Sequence, residues 1–192
     1  MDFNNQQKEM KTIRERDDWK FNSNDINVWD NFFTDECLKM LRYRVLYAKH
    51  FDKEYNDYYA IDYFKKEDYL SELIAHELSS RIDLPPFKRA WSFVYHNHEG
   101  EGVGLHSDPS IINLNIWVST DDVVKDKSRN GLTIYKVRPP ETWTRDEWNG
   151  NPTKALDYVK SINIKPTEVA YKSNRAVFFD GAYFHASKGI ST

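Results

Sequence analysis

Leu38, Leu41 and Val45 recur at helical spacing behind Thr34, with Asp35 and Glu36 in the turn between. A threonine oxygen can take a free first-turn amide, and carboxylates favour the positive end of the helix dipole. The pattern therefore predicts an amphipathic helix over 34–49. A second stripe, Leu70, Leu73, Ile74, Leu78 and Ile82, predicts a helix over 67–82, stopped by Asp83 and the Pro85-Pro86 pair. Beyond Pro86 the period changes. Residues 89–95 are aromatic and β-rich, and Ile112, Leu114, Ile116 and Val118 alternate with Asn113, Asn115 and Trp117, as a strand with one apolar face does. Further strands are predicted over 132–137, after the Asn130-Gly131 turn signal, and over 168–171 and 176–179. A polar excursion over 138–165 carries a short helix near 152–161; so long a connection predicts a functional segment such as a lid. Residues 1–25 show no period and are expected to be flexible, with Trp19 and Phe21 as docking points. Residues 26–192 then form a single domain. Helices first and consecutive strands after exclude an alternating βαβ sheet. They predict an α+β fold, a β-sandwich or jelly roll buttressed by N-terminal helices.

Composition narrows the possible functions. The 192 residues are 40% hydrophobic and 15% aromatic, enough for one folded core. The net charge of −3 provides no basic field for nucleic acid or an anionic membrane, so both are disfavoured as partners. The longest apolar run, 111–118, is broken by asparagines and falls far short of a membrane span. The first 20 residues lack an apolar signal core. Cys37, the only cysteine, excludes an intrachain disulfide framework and a multi-cysteine zinc site. The expected compartment is a reducing cytoplasm.

The six histidines carry the candidate chemistry. His76 falls on the predicted second helix as a surface or packing residue. His50-Phe51-Asp52 and His106-Ser107-Asp108 both match His-x-Asp, a pair that can share one metal when it sits on a strand, where alternate side chains project from one face. His50 follows a helix in a polar, tyrosine-rich stretch with no strand signal and reads as surface. His106 follows Glu101-Gly102-Val103-Gly104 and precedes the clearest strand of the chain. A third ligand, His185, follows the apolar run at Phe178-Phe179 and the Asp180-Gly181 turn. Two imidazoles and a carboxylate occupy one face of an octahedron and leave the other open to a bidentate co-substrate and O₂. The residues alone also allow a buried structural His185 and a turn-capping Asp108. His96-Asn97-His98 offers a rival, a cupin-type metal site with His106. A cupin glutamate would stand four or five residues further on, whereas Glu99 and Glu101 are too close and position 102 is glycine.

Three ordered runs resemble a known superfamily: Arg89-Ala90-Trp91-Ser92-Phe93-Val94-Tyr95, Gly104-Leu105-His106-Ser107-Asp108 and Asn113-Leu114-Asn115-Ile116-Trp117-Val118. With Gly131-Leu132-Thr133-Ile134-Tyr135, the run from Asn174 to His185 and the Asp30-Asn31-Phe32-Phe33 opening, they are similar to the Fe(II)- and 2-oxoglutarate-dependent oxygenases. The closest likeness is to small bacterial and phage-type members of the prolyl-hydroxylase-like branch. The resemblance covers 30–187 and rests on the ordered set rather than on any single motif. It implies a double-stranded β-helix, Fe(II) held by His106, Asp108 and His185, and 2-oxoglutarate contacted by Tyr95 and Asn115. It also implies O₂ as oxidant and hydroxylation of an amino acid, peptide or small metabolite. The presence of Asp108 disfavours a halogenase, which replaces that carboxylate. Trp117, Tyr135, Trp143, Trp148 and the 138–165 segment are expected to shape a substrate pocket. One departure concerns the basic residue that anchors the far carboxylate of 2-oxoglutarate, about ten residues beyond the distal histidine. The sequence ends at Thr192, before that position; Lys188 is too close in register, and Arg175 opens the preceding strand. The expectation is a chain that stops short of the closing strand. The rival outside enzymology is a non-catalytic β-sandwich binding module in which the three residues make structural hydrogen bonds.

Overall fold

The Thr34 oxygen accepts the Cys37 amide at 3.2 Å, and the helix it caps runs over Asp35–Leu46. The second helix, Tyr69–Ser79, is capped in the same way by Asp68, which accepts the Ser71 amide. The computed structural model describes residues 10–16, 20–47, 53–55, 59–64, 68–95, 99–100, 102–126, 130–188 and 190–191. In chain order the elements are β1 (Asn27–Trp29), α1 (Asp35–Leu46), β2 (Lys53–Tyr55), β3 (Tyr59–Tyr63), α2 (Tyr69–Ser79), β4 (Trp91–Tyr95), β5 (Glu99–Gly100) and β6 (Ile112–Ile116). They continue with β7 (Gly131–Tyr135), α3 (Arg145–Trp148), α4 (Pro152–Ser161), β8 (Thr167–Ala170), β9 (Ala176–Asp180), β10 (Phe184–Ser187) and β11 (Ile190–Ser191). The protein is α+β with antiparallel sheets, ordered β1-β9-β6, β10-β7-β8, β2-β3-β4 and the pair β11-β5.

The strand β9 explains the layering. All five of its residues are buried, which requires cover on both faces. Phe178 and Ala176 turn outward into a core with Trp29, Phe32, Cys37, Leu38, Leu41, Leu70 and Leu78, so α1 and α2 lie on that side. Phe178 meets Trp29, Phe32 and Phe21 with ring centroids 4.9–5.8 Å apart, in tilted or edge-on contact. Val177 and Phe179 turn inward against Leu132, Ile134 and Val169 of the second sheet. The outer face of that sheet is covered by α4, whose Ala155 and Val159 pack with Phe184 and Leu105.

Several strands carry little sequence signal. The tyrosine-rich stretch read as loop contains the hairpin β2–β3, which pairs along β4 from Tyr59↔Tyr95 to Tyr63↔Trp91. Strand formation there is decided by the partner strand rather than by alternation in Tyr-Ala-Ile-Asp-Tyr. Within 1–25, Thr12 and Ile13 are fully buried: Ile13 bridges Phe33, and Glu77 accepts the Thr12 amide at 2.7 Å and its hydroxyl at 2.6 Å. No periodic signal marks two residues held by a distant carboxylate. Trp19, by contrast, lies outside the described residues. No helix among the described residues is long and apolar enough to cross a membrane.

Candidate metal centre

His106 and His185 sit directly opposite each other on antiparallel backbone. The His106 N–H donates to His185 O at 3.0 Å and the His185 N–H to His106 O at 2.8 Å. In such a closely bonded pair the side chains leave on the same face, and the two rings lie 4.3 Å apart between centroids. Two residues on, the Asp108 N–H donates to Gly181 O at 2.9 Å, which brings its carboxylate to the same side. The register explains the glycine after Asp180: a Cβ at Gly181 would fall 1.9 Å from Ser110 Oγ and 2.7 Å from Ser110 O.

The ligand atoms converge. Asp108 Oδ1 lies 3.8 Å from His106 Nε2, Asp108 Oδ2 lies 3.5 Å from His185 Nε2, and one donor atom from each residue falls within 4.8 Å of the others. Backbone carbonyls fix which nitrogen is offered. His106 Nδ1 lies 2.7 Å from Gly104 O and His185 Nδ1 lies 2.9 Å from Tyr183 O. A carbonyl can only accept, so each Nδ1 carries the hydrogen, and Nε2 is the nitrogen turned inward that a cation can take. Burial, then the neighbouring His185, pushes the His106 pKa down against the pull of Asp108 and Gly104, which favours the neutral ligand form. At Asp108 burial opposes ionisation. The hydrogen bond and charge of His185, the charge of His106 and the Asn113 amide outweigh it and hold the carboxyl at about 2. Two imidazoles that can each present Nε2 and one anion form a donor set that fits a divalent cation.

Of the sequence-predicted residues, the structure brings His106, Asp108 and His185 together. Asn115, opposite Val177 on β6, shares the inward face with Asn113. Tyr95 stacks on Phe93 at 6.3 Å in the third sheet, outside the pair of strands that carries the histidines. His50, Asp52, His96 and His98 lie outside the described residues, while His76 is exposed on α2. Lys188 pairs with Glu168 at 2.8 Å, and Arg175 pairs with Asp30 at 2.6 Å. The 138–165 excursion packs along the outer face of β10. Trp143, Trp148, Tyr135 and Tyr158 cluster around Phe184, whose side chain leaves β10 on the face opposite His185. Trp117 instead packs on the inner face, against Tyr171 at 5.8 Å.

Asn113 was missed by the sequence reading. Its Nδ2 donates to Asp108 Oδ2 at 2.7 Å while its Oδ1 accepts Ser110 Oγ at 2.5 Å, so the hydroxyl sets the amide the right way round. The available signal was its place, one strand period before Asn115 and five residues after Asp108. Neither a protein-family model nor a curated protein sequence matches the chain.

Proposed function

We propose that the protein is an Fe(II)- and 2-oxoglutarate-dependent dioxygenase on a double-stranded β-helix, acting on an amino acid, peptide or small metabolite. The observation that carries this reading is the convergence of two Nε2 atoms and one ionised carboxylate within 4.8 Å, each imidazole locked by a carbonyl behind it. The strand order supports the fold. The segment ending in His106 lies beside β10, β10 beside β7, and β7 beside β8, facing the sheet that holds β9 and β6. That interleaving of early and late strands is what a jelly roll requires.

In this reading His106, Asp108 and His185 hold the iron. When bound, iron with 2-oxoglutarate and O₂ supplies oxidative decarboxylation to succinate coupled to oxidation of a substrate C–H bond. Gly104 O and Tyr183 O keep the imidazoles oriented, and Asn113 keeps one Asp108 oxygen aimed. Phe179, with its ring 4.9 Å from that of His185, and Ile134, paired with His185 across the sheet, exclude water from the inner side. Asn115 and Tyr95 are assigned to 2-oxoglutarate, Asn115 on the inner face of β6.

Anaerobic addition of Fe(II) and then 2-oxoglutarate is expected to give a metal-to-ligand charge-transfer band in the visible. His106→Ala should abolish it. No band in the wild-type protein would overturn the co-substrate, and a band that survives the substitution would overturn the site. Succinate release across a panel of amino acids, peptides and metabolites would then identify the substrate.

A further inference from the structure

The segment that carries His106 and Asp108 is hydrogen-bonded along both edges, and only one edge faces a strand. His106 directs its N–H and C=O to His185. Ser107 directs its own the other way, as the next residue of an extended chain must. There the Ser107 N–H donates to Trp148 O at 2.9 Å, and Asn149 Nδ2 donates to Ser107 O at 2.7 Å. A neighbouring strand would offer one carbonyl and one N–H at that place. Here the carbonyl comes from the last residue of α3 and the N–H from a side chain.

The rest of the segment leans on the same helices. Leu105 packs with Ala155 and Val159, and Gly104 lies so near Pro152 that an added Cβ would be 3.0 Å from the Pro152 Cβ. Ser107 is 2% exposed, so no solvent replaces a lost partner at its carbonyl. The Asn149 backbone is itself fixed, its N–H donating to Arg145 O at 2.8 Å, which leaves the side chain to serve Ser107.

We propose that Asn149 is a positioning residue for the metal: by closing the outer edge of the segment it sets His106 and Asp108 at the spacing from His185 that one ion requires. A segment bonded along one edge can pivot about that edge, carrying both ligand side chains with it, and the second edge removes that freedom. The α3–α4 excursion is then the outer wall of the metal site. The proposal rests on the reading of the triad as a metal centre.

The test is Co(II) binding to the purified chain, followed by its visible ligand-field absorption, with thermal unfolding of the metal-free protein alongside. Asn149→Asp keeps the side-chain shape and removes the donor. Its Co(II) affinity is expected to fall roughly 10-fold or more, with an altered spectrum, as for other partners that orient metal ligands. Thr34→Ala, a distant cap variant, should lower the unfolding temperature and leave the Co(II) affinity and spectrum as in the wild type. Wild-type affinity and spectrum in Asn149→Asp would overturn the positioning role. Failure of the wild type to bind Co(II) would instead remove the metal centre itself. Should Asn149→Asp not fold, Asn149→Ala, which removes the donor without adding a charge, takes its place: lowered Co(II) affinity with an altered spectrum is expected, and wild-type values overturn the proposal.

Discussion

Asp108 depends on its neighbours for its charge, and one of them, Asn113, stands outside the three converging side chains. Its carboxyl is buried, yet His185, His106 and Asn113 keep it ionised. Removing the Asn113 amide with Asn113→Ala frees one carboxylate oxygen to turn away, and Co(II) affinity should fall about 10-fold. Titration by absorbance checks this, with Asn115→Ala as the comparison on the same strand face. Cys37 illustrates the opposite case, a group silenced by its surroundings. Burial first, then the charges of Glu77 and Glu36, push its thiol up to about 12. It is expected to react with a disulfide reagent at pH 8 only as fast as the protein opens, and at the ordinary thiol rate in denaturant. Prompt reaction of the folded protein would contradict the buried placement.

Among the elements, the N-terminal helices were the most legible, because a cap and an apolar stripe are local signals. Thr34→Ala should cost about 1 kcal/mol of stability in urea unfolding. Strand β9 was legible as an apolar run, and its two-sided burial accounts for the absence of alternation; Phe178→Ala should cost about 3–5 kcal/mol. The hairpin β2–β3, the short strand β1 and the anchoring of Thr12 were not legible. Each depends on a partner far along the chain, β4, β9 or Glu77, and nothing local announces it. The three side chains that converge were readable from residue type and strand context, whereas the hydrogen bonds of Asn113 to Asp108 and of Asn149 to Ser107 are encoded by no tripeptide. The loop before β9 has its own electrostatic latch. Asp30 takes hydrogen bonds from Arg175 and Lys172, which together hold its carboxyl at about 2, below the ordinary 3.8. A lowered carboxyl pKa stabilises the fold above the unfolded value and loses that stabilisation as pH falls through the folded one. The advantage of wild type over Asp30→Asn should therefore be full above pH 4 and shrink between there and pH 2, measured by urea midpoints across the range.

For the molecule as a whole, a ligand that binds only the folded chain raises its stability by mass action, about 2.7 kcal/mol at a hundredfold excess over Kd. Co(II) should therefore raise the unfolding temperature of the wild type, with reversal by chelator and no rise in His106→Ala. An equal shift in that variant would place the ion elsewhere. The backbone bridge between His106 and His185 has a consequence in time as well as in space. Its two halves come from either end of the β-rich region, and neither half is a site alone. Closing so long a loop is slow and entropically costly, and the reward comes only when the intervening strands have found their register. Competence to capture an ion is thus among the last properties gained on refolding, so Co(II) absorbance should rise after helical circular dichroism has recovered.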